Sequence, residues 1–255
     1  MRLEGKVAIV TGAGQRAGDG VGNGRATAIR FAREGAKVIL ANRSGGSVEE
    51  TRDLIRAEGF EADCVVADVA NETDCAKLVR LSLAKHRRLD IVHNSAGIVR
   101  TDGDTARVTR NDWDDTIRIN LTGAMQISQH ALSAMRPQKS GCITHVSSIA
   151  AIGSIPVISY KVSKAALHEF TRWLAFENAP YNIRCNVLML GLVDTPMGIE
   201  YHHEASGIPR DELRKQRSAT VPMKRMGTPW DTASAAVFLA SDEASELASR
   251  ICTGR

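Results

Sequence analysis

Tyr160 and Lys164 stand four residues apart in "SYKVSKAALHEFTRWLAFENA", a segment whose spacing predicts a helix. Val162, Ala166, Phe170 and Trp173 fall on one stripe of it. Tyr160 and Lys164 lie together on roughly the opposite side. A phenol with a pKa near ~10 is a poor acid–base group at neutral pH. An ammonium beside it favours the phenolate and lowers that value. The pair therefore reads as a tunable proton donor, or as a surface Tyr and Lys that share a helix face. Upstream, "CITHVSSIAA" ends a strand-like run with Ser147 and Ser148. A hydroxyl there can donate to a carbonyl oxygen; equally, it can serve as a polar strand end or cap.

Such groups need a rigid frame. Short apolar runs recur along the chain: "KVAIV", "KVILA", "DCVVAD", "DIVHN", "CITHVSS" and "IRCNVLML". They read as buried parallel strands. Longer stretches with helical period lie between them. Ser47 with Glu50 fits a capping box, Thr109 with Asp112 a looser version, and Thr228-Pro229 an N-cap followed by proline at the first helical position. Strand and helix in alternation imply βαβ units and an α/β, doubly wound parallel sheet. The 255 residues suit a single domain, 1–255, without repeat or linker. Residues 196–209 read as the one long irregular region, a lid or binding loop. The lid region extends to about residue 222.

The first strand-like run leads into "TGAGQRAGDGVGNGRATA", which holds six glycines. Strand, glycine-rich turn and helix are the context of a dinucleotide fingerprint: the glycines let a pyrophosphate approach, and the helix N-terminus offers free N–H groups. The alternative is a flexible turn. The legible helix "GRATAIRFAREGA" puts its start at Gly24, so Gly22 and Gly24 are expected nearest the phosphates and Gly12 at the strand end. "QRAGDG" is then extra loop, expected to cover or flank the pyrophosphate. An acid at the end of the second strand would bond a ribose 2′-OH and repel a 2′-phosphate. Asn42 stands there, followed by Arg43, which can pair with a phosphate. NADP is thus favoured over NAD, with Arg16 as a second phosphate candidate.

Other classes fare worse. The net charge is a mild +4 without a basic stripe, so nucleic-acid binding is disfavoured. No apolar run is long enough to span a bilayer, and the opening residues lack a signal-peptide pattern. The five cysteines have no paired spacing, which points to the cytoplasm, and no metal site is legible. Six basic residues lie between Arg210 and Arg225. They are either the solvated face of a short helix or a lid that attracts anionic substrates.

The order of "TGAG…GNG", "ADV" at 67–69, "NSAG" at 94–97, "INLTG" around Asn120, "VSS", "YKVSK" and "GLVDT" resembles the short-chain dehydrogenase/reductase family in its most common single-domain form, over nearly the whole chain. The resemblance implies an NAD(P)-dependent oxidoreductase that interconverts a small-molecule carbonyl and an alcohol. By that match Tyr160 is the general acid/base, Lys164 lowers its pKa and binds the nicotinamide ribose, and Ser148 rather than Ser147 donates to the carbonyl oxygen. Asn120 holds a water in the proton relay; otherwise it is an ordinary polar residue in a helix. The cofactor set is Gly12, Gly14, Gly22, Asn23, Gly24, Asn42, Arg43, Asp68, Val69, Asn94, Ala96, Gly97, Tyr160, Lys164, Val193 and Thr195. A catalytically silent NAD(P)-binding regulator is the competing reading, and it predicts a damaged Tyr-Lys-Ser set. The resemblance also implies a homodimer through two long helices, "DWDDTIRINLTGAMQISQHALSAM" and the one carrying Tyr160, or a homotetramer. "LASRICTGR" shows neither the family's last strand nor its "VDGG"-like segment, so an unpaired sheet edge is expected there.

Overall fold

The computed structural model describes residues 1–100, 102–248 and 251–253. Seven parallel strands form one sheet in the order β3-β2-β1-β4-β5-β6-β7. They are β1 Val7–Thr11, β2 Lys37–Asn42, β3 Ala62–Val66, β4 Ile91–Asn94, β5 Gly141–Ser148, β6 Ile183–Leu190 and β7 Ile251–Thr253. The helices are α1 Asn23–Arg33, α2 Gly45–Ala57, α3 Glu72–His86, α4 Arg110–Ile117, α5 Gly123–Gln138, α6 Ile158–Asn178, α7 Pro196–Ser206, α8 Arg210–Thr220 and α9 Pro229–Ala240. The order runs outward in both directions from β1 and β4. A crevice opens at the carboxyl ends of the strands where the winding reverses.

Period-two alternation explains why β1 carries apolar side chains on both faces of the sheet. Val7 and Ile9 of β1 join Leu78, Ile127, Met135 and Leu174 on one face of the sheet. Ala8 and Val10 join Ala28, Phe31, Val48, Ile55 and Val237 on the other. Both faces are covered there, so β1 is apolar at successive positions rather than at alternate ones.

The six expected strands are present. The seventh corrects the expectation of a missing last strand. Ile251, Cys252 and Thr253 pair in parallel with Val187, Leu188 and Met189, so that stretch of β6 is not an open edge. Three residues are too few to make a periodic pattern. Residues 249, 250, 254 and 255 of "LASRICTGR" lie outside the described residues.

Several helix signals were also misplaced. Residues 196–206 are helix α7, not irregular chain: Pro196 sits at its first position, and the Gly198 N–H donates to Thr195 Oγ1 at 3.1 Å. Thr109 caps α4, and Thr228 forms a full capping box with Asp231 at α9. Ser47 and Glu50 do not form one. Ser44 occupies the N-cap of α2, Ser47 Oγ bonds the backbone of Gln15, and Glu50 accepts from the buried Arg25 at 2.7 Å. Helix α1 begins at Asn23, one residue before Gly24. The expected unbroken helix at 112–135 is α4 and α5 joined by a wide π-type turn, Arg118–Thr122, where the Gly123 N–H reaches the Arg118 carbonyl. On α6 the buried face includes Ser163, Leu167, Thr171 and Leu174; of the stripe Val162, Ala166, Phe170 and Trp173, Phe170 packs on the core while Trp173 is 57% exposed. Among the described residues, no helix is long and apolar enough to cross a membrane. Cys64, Cys75, Cys142 and Cys185 are free thiols.

Candidate active site

The ends of β1, β4 and β5 and the first turns of α6 build the site. β1 delivers Gly12, whose φ of +66° is left-handed. A Cβ there would stand 2.8 Å from the backbone of Ala96, so only glycine lets the chain leave β1 this close to the segment after β4. At Gly24 a Cβ would overlap the Gly12 carbonyl, so that glycine serves close packing of α1 on the turn. The N-cap of α1 is Gly22, and no side chain caps the helix. Its first-turn N–H groups therefore remain available to an anion. β4 delivers Asn94, whose Oδ1 accepts from Thr11 Oγ1 at 2.5 Å and ties the two central strands together.

β5 delivers the serine pair and α6 the tyrosine and lysine. Ser147 is buried, donates to the Lys164 carbonyl at 3.1 Å and bonds His168 Nε2 at 2.8 Å. Ser148 is placed differently: its Oγ accepts from the Ala150 N–H at 3.1 Å and lies near enough to the Tyr160 phenol to pull its pKa down. Tyr160 is half-buried. Burial pushes the phenol above its usual range, and Ser148 pulls it back. Lys164 Nζ lies 5.5 Å from the ring centre and donates to the Val146 carbonyl at 2.8 Å. Burial pushes this lysine down to about 8. The expected lowering of the Tyr160 pKa by Lys164 is absent: burial raises it and Ser148 alone opposes. Gly97 lets the other groups converge: its Cβ position is 3.3 Å from Asn120 Oδ1 and 3.4 Å from Lys164 Nζ. Asn120 lies in the π-type turn. It donates to the Ile98 carbonyl at 2.9 Å and to Ser163 Oγ at 3.1 Å, and accepts from the Ile98 N–H at 2.8 Å. Wide turns of this kind recur at functional sites.

Two positioning residues were not foreseen. Asp102 is buried, and its Oδ2 accepts from the Ser159 backbone N–H at 2.9 Å and from the Ser159 hydroxyl, anchoring the start of α6. Lys161 donates to the Gly153 and Ala150 carbonyls, at 2.5 and 3.3 Å, holding the link between Ser148 and Tyr160. Asp102 lies in no motif, and Lys161, though within "YKVSK", acts like Asp102 on backbone that only the fold brings near.

These groups share a cavity of about 340 Å³. Gly12, Gly14, Gly22, Asn23, Gly24, Gly97, Ser148, Tyr160, Lys164, Val193 and Thr195 line it, with Met197, Tyr201 and His202 from α7 and Arg217 from α8. Asn42, Arg43, Asp68, Val69, Asn94, Ala96 and Asn120 do not line it. Asn42 packs its amide on Gly14 at the mouth, next to the exposed Arg43. Asp68 Oδ1 accepts from the Ala70 N–H at 3.0 Å. The extra glycine loop closes one end. Gln15 Nε2 donates to the Gly20 carbonyl at 2.8 Å, Gln15 Oε1 accepts from the Gly22 N–H at 3.1 Å, and Arg16 pairs with Glu204 of α7. No carboxylate lines the cavity among the described residues. Nor, among them, are three His, Cys, Asp or Glu side chains grouped to hold a metal ion. A glycine cradle at an uncapped helix N-terminus, in a crevice without acids, fits a dinucleotide.

The sheet order defines an α/β protein of the Rossmann type. A family model described as enoyl-(acyl carrier protein) reductase matches residues 18–252. An uncharacterized oxidoreductase of Thermotoga maritima is 38% identical over 96% of this chain and 93% of its own length. The 3-oxoacyl-[acyl-carrier-protein] reductase FabG of the same organism is 34% identical over 98% and 96%. Two solved structures, NAD+-bound xylitol dehydrogenase and a point variant of actinorhodin polyketide ketoreductase with NADPH, each superpose with a TM-score of 0.90 at 27% identity. The first covers 99% of this chain and 98% of its own, the second 97% and 95%. The chain belongs to the short-chain dehydrogenase/reductase family of oxidoreductases.

Proposed function

We propose that the protein interconverts a carbonyl and a secondary alcohol with a nicotinamide dinucleotide, using Tyr160 as the general acid/base. The observation that carries this reading is one cavity shared by the glycine turn and by Ser148, Tyr160 and Lys164. A nicotinamide dinucleotide, when bound, supplies or accepts the hydride. Gly12, Gly14, Gly22 and the N-terminus of α1 would hold its phosphates, and Lys164, Val193 and Thr195 its nicotinamide end. Ser148 orients the carbonyl oxygen and Tyr160 moves the proton to or from it. Lys164 keeps a positive charge beside the ring below its pKa of about 8. Asn120 fixes the segment after Gly97 against the lysine. A silent regulator would not need all three groups in one pocket, and relatives named as reductases favour catalysis. A screen of ketones and secondary alcohols with both cofactors, followed by nicotinamide absorbance, tests the reading. No turnover on any pair would refute it.

NADP is the favoured cofactor, since Asn42 offers no charge to repel a 2′-phosphate and Arg43 is exposed beside it. Arg16 is the weaker candidate, being paired with Glu204. The expected result is a kcat/KM at least about tenfold higher with NADPH than NADH, roughly 1.4 kcal/mol. Asn42→Asp is expected to shift the ratio toward NADH. A wild-type preference for NADH would sink this assignment.

A homodimer through α5 and α6 is the proposed assembly. Trp173 and Phe176 stack at 5.6 Å on the outer face of α6, exposed at 57% and 71%, and Met125 of α5 is exposed as well. Apolar surface of this kind is usually covered. Sedimentation is expected to give a dimer at micromolar concentration and a monomer for Trp173→Glu. A wild-type monomer would exclude this interface.

A further inference from the structure

Of the six basic residues between Arg210 and Arg225, one turns inward. Arg210 is tied to Glu200 at 2.7 Å, and Arg214 to Asp194 at 3.3 Å and Asp211 at 3.2 Å. Lys215, Lys224 and Arg225 are exposed. Arg217 lines the cavity that holds Ser148 and Tyr160. Its Nε is buried without a hydrogen-bond partner, and no ion pair engages it among the described residues. One terminal nitrogen lies 3.7 Å from the Cβ position of Gly198, at the start of α7. The neighbouring charges do not neutralise it. Asp194 is shared with Arg214, and His202 is held toward its neutral form by burial and by Arg217 itself. The other cations on the cavity wall are engaged: Arg16 with Glu204, Lys164 with the Val146 carbonyl. The side chain as a whole is half-buried, and a buried guanidinium N–H without an acceptor carries a cost. The cost is recovered only when an anion arrives, and a planar fork matches a carboxylate or a phosphate.

We propose that Arg217 receives an anionic group, a carboxylate or phosphate, on the carbonyl substrate itself. The inference rests on the oxidoreductase reading for the identity of the site, and it adds the class of substrate: an oxo acid or a carbonyl compound bearing a phosphate. Substrate enters between α7 and the Ser148–Tyr160 pair, and Arg217 on α8 fixes its far end. The charge then sets which carbonyl faces Tyr160.

The test uses oxo acids of about four to eight carbons and their methyl esters, which share the carbonyl and differ in charge. Each is titrated calorimetrically into the whole protein saturated with oxidised cofactor, where no reduction can occur, and into the free protein. The wild type is expected to bind at least one acid roughly ten- to a hundredfold more tightly than its ester. Arg217→Leu is expected to abolish that preference, and Arg217→Lys to restore part of it. Cofactor affinity, measured in the same variants, is expected to stay unchanged. The proposal is overturned if no acid is preferred, if the preference survives Arg217→Leu, or if that variant loses cofactor affinity instead, which would place the anion on the cofactor. An Arg217-dependent preference without turnover of any carbonyl would refute the oxidoreductase reading and with it the carbonyl substrate, leaving only an anion site at Arg217.

Discussion

Tyr160→Phe is expected to lower turnover by roughly a hundred- to ten-thousandfold, the range for a positioned general acid, while cofactor affinity holds. The substitution removes one oxygen and keeps the ring, so packing in the cavity survives. The free protein keeps the phenol protonated at neutral pH, because burial raises its pKa and only Ser148 opposes this. A protonated phenol is the form that carbonyl reduction needs. Alcohol oxidation needs the phenolate, so its rate is expected to climb with pH where reduction does not. Lys164, pushed down to about 8 by burial, loses its charge as pH rises through that value. Reduction is therefore expected to decline above it. Steady-state rates in both directions against pH, with cofactor titrations of wild type and variant, check all three expectations. Near-normal turnover in the Phe variant would remove Tyr160 from the mechanism.

The parts of this site legible in the sequence share one property: their signal is local. Gly12, Gly22 and Gly24 follow a strand and precede a helix. Tyr160 and Lys164 are one helical turn apart. The strands β1 to β6 each carry an apolar run, because both faces of the sheet are covered. What escaped is set by partners distant in sequence. Ser47 and Glu50 have the spacing of a capping box, yet Gln15 and Arg25, brought close by the sheet, compete for them and win. Asp102 and Lys161 hold the Ser148–Tyr160 link from 57 and 8 residues away, through backbone groups no motif records. Residues 196–206 carry no clear helical signature, because Pro196 and Gly198 are poor helix formers in the interior. At the first turn proline is tolerated, and Thr195 supplies the cap. Arg217 shared its composition with five other basic residues. Only the direction of α8 against the cavity separates it from them.

Acid is expected to destabilise the fold well above the pH at which ordinary carboxylates titrate, and the cause is a pair of histidines on adjacent central strands. His93 of β4 is wholly buried, with both ring nitrogens unpartnered and its edge on Phe31 at 5.8 Å. His145 of β5 bonds Ser128 and Thr171 at 3.1 and 2.9 Å. Burial lowers His93 to about 4; burial first, then the charge of Lys164, lowers His145 to about 3. In the unfolded chain both titrate near ~6.5. Above that value neither form binds the proton, and these groups leave stability flat. As pH falls below it, the unfolded chain takes up protons that the native state refuses until about 4 and 3. Stability is then lost at ~1.4 kcal/mol per pH unit for each histidine. By pH ~4.5 the pair accounts for about 5 kcal/mol, a large share of the 5–15 kcal/mol typical of a domain. Urea unfolding at several pH values between ~7.5 and ~5 measures the slope. His93→Phe, which suits the apolar setting beside Phe31, is expected to reduce the slope by about half. A flat profile in the wild type across that window, or an unchanged slope in the variant, would mean that protons reach these rings in the native state.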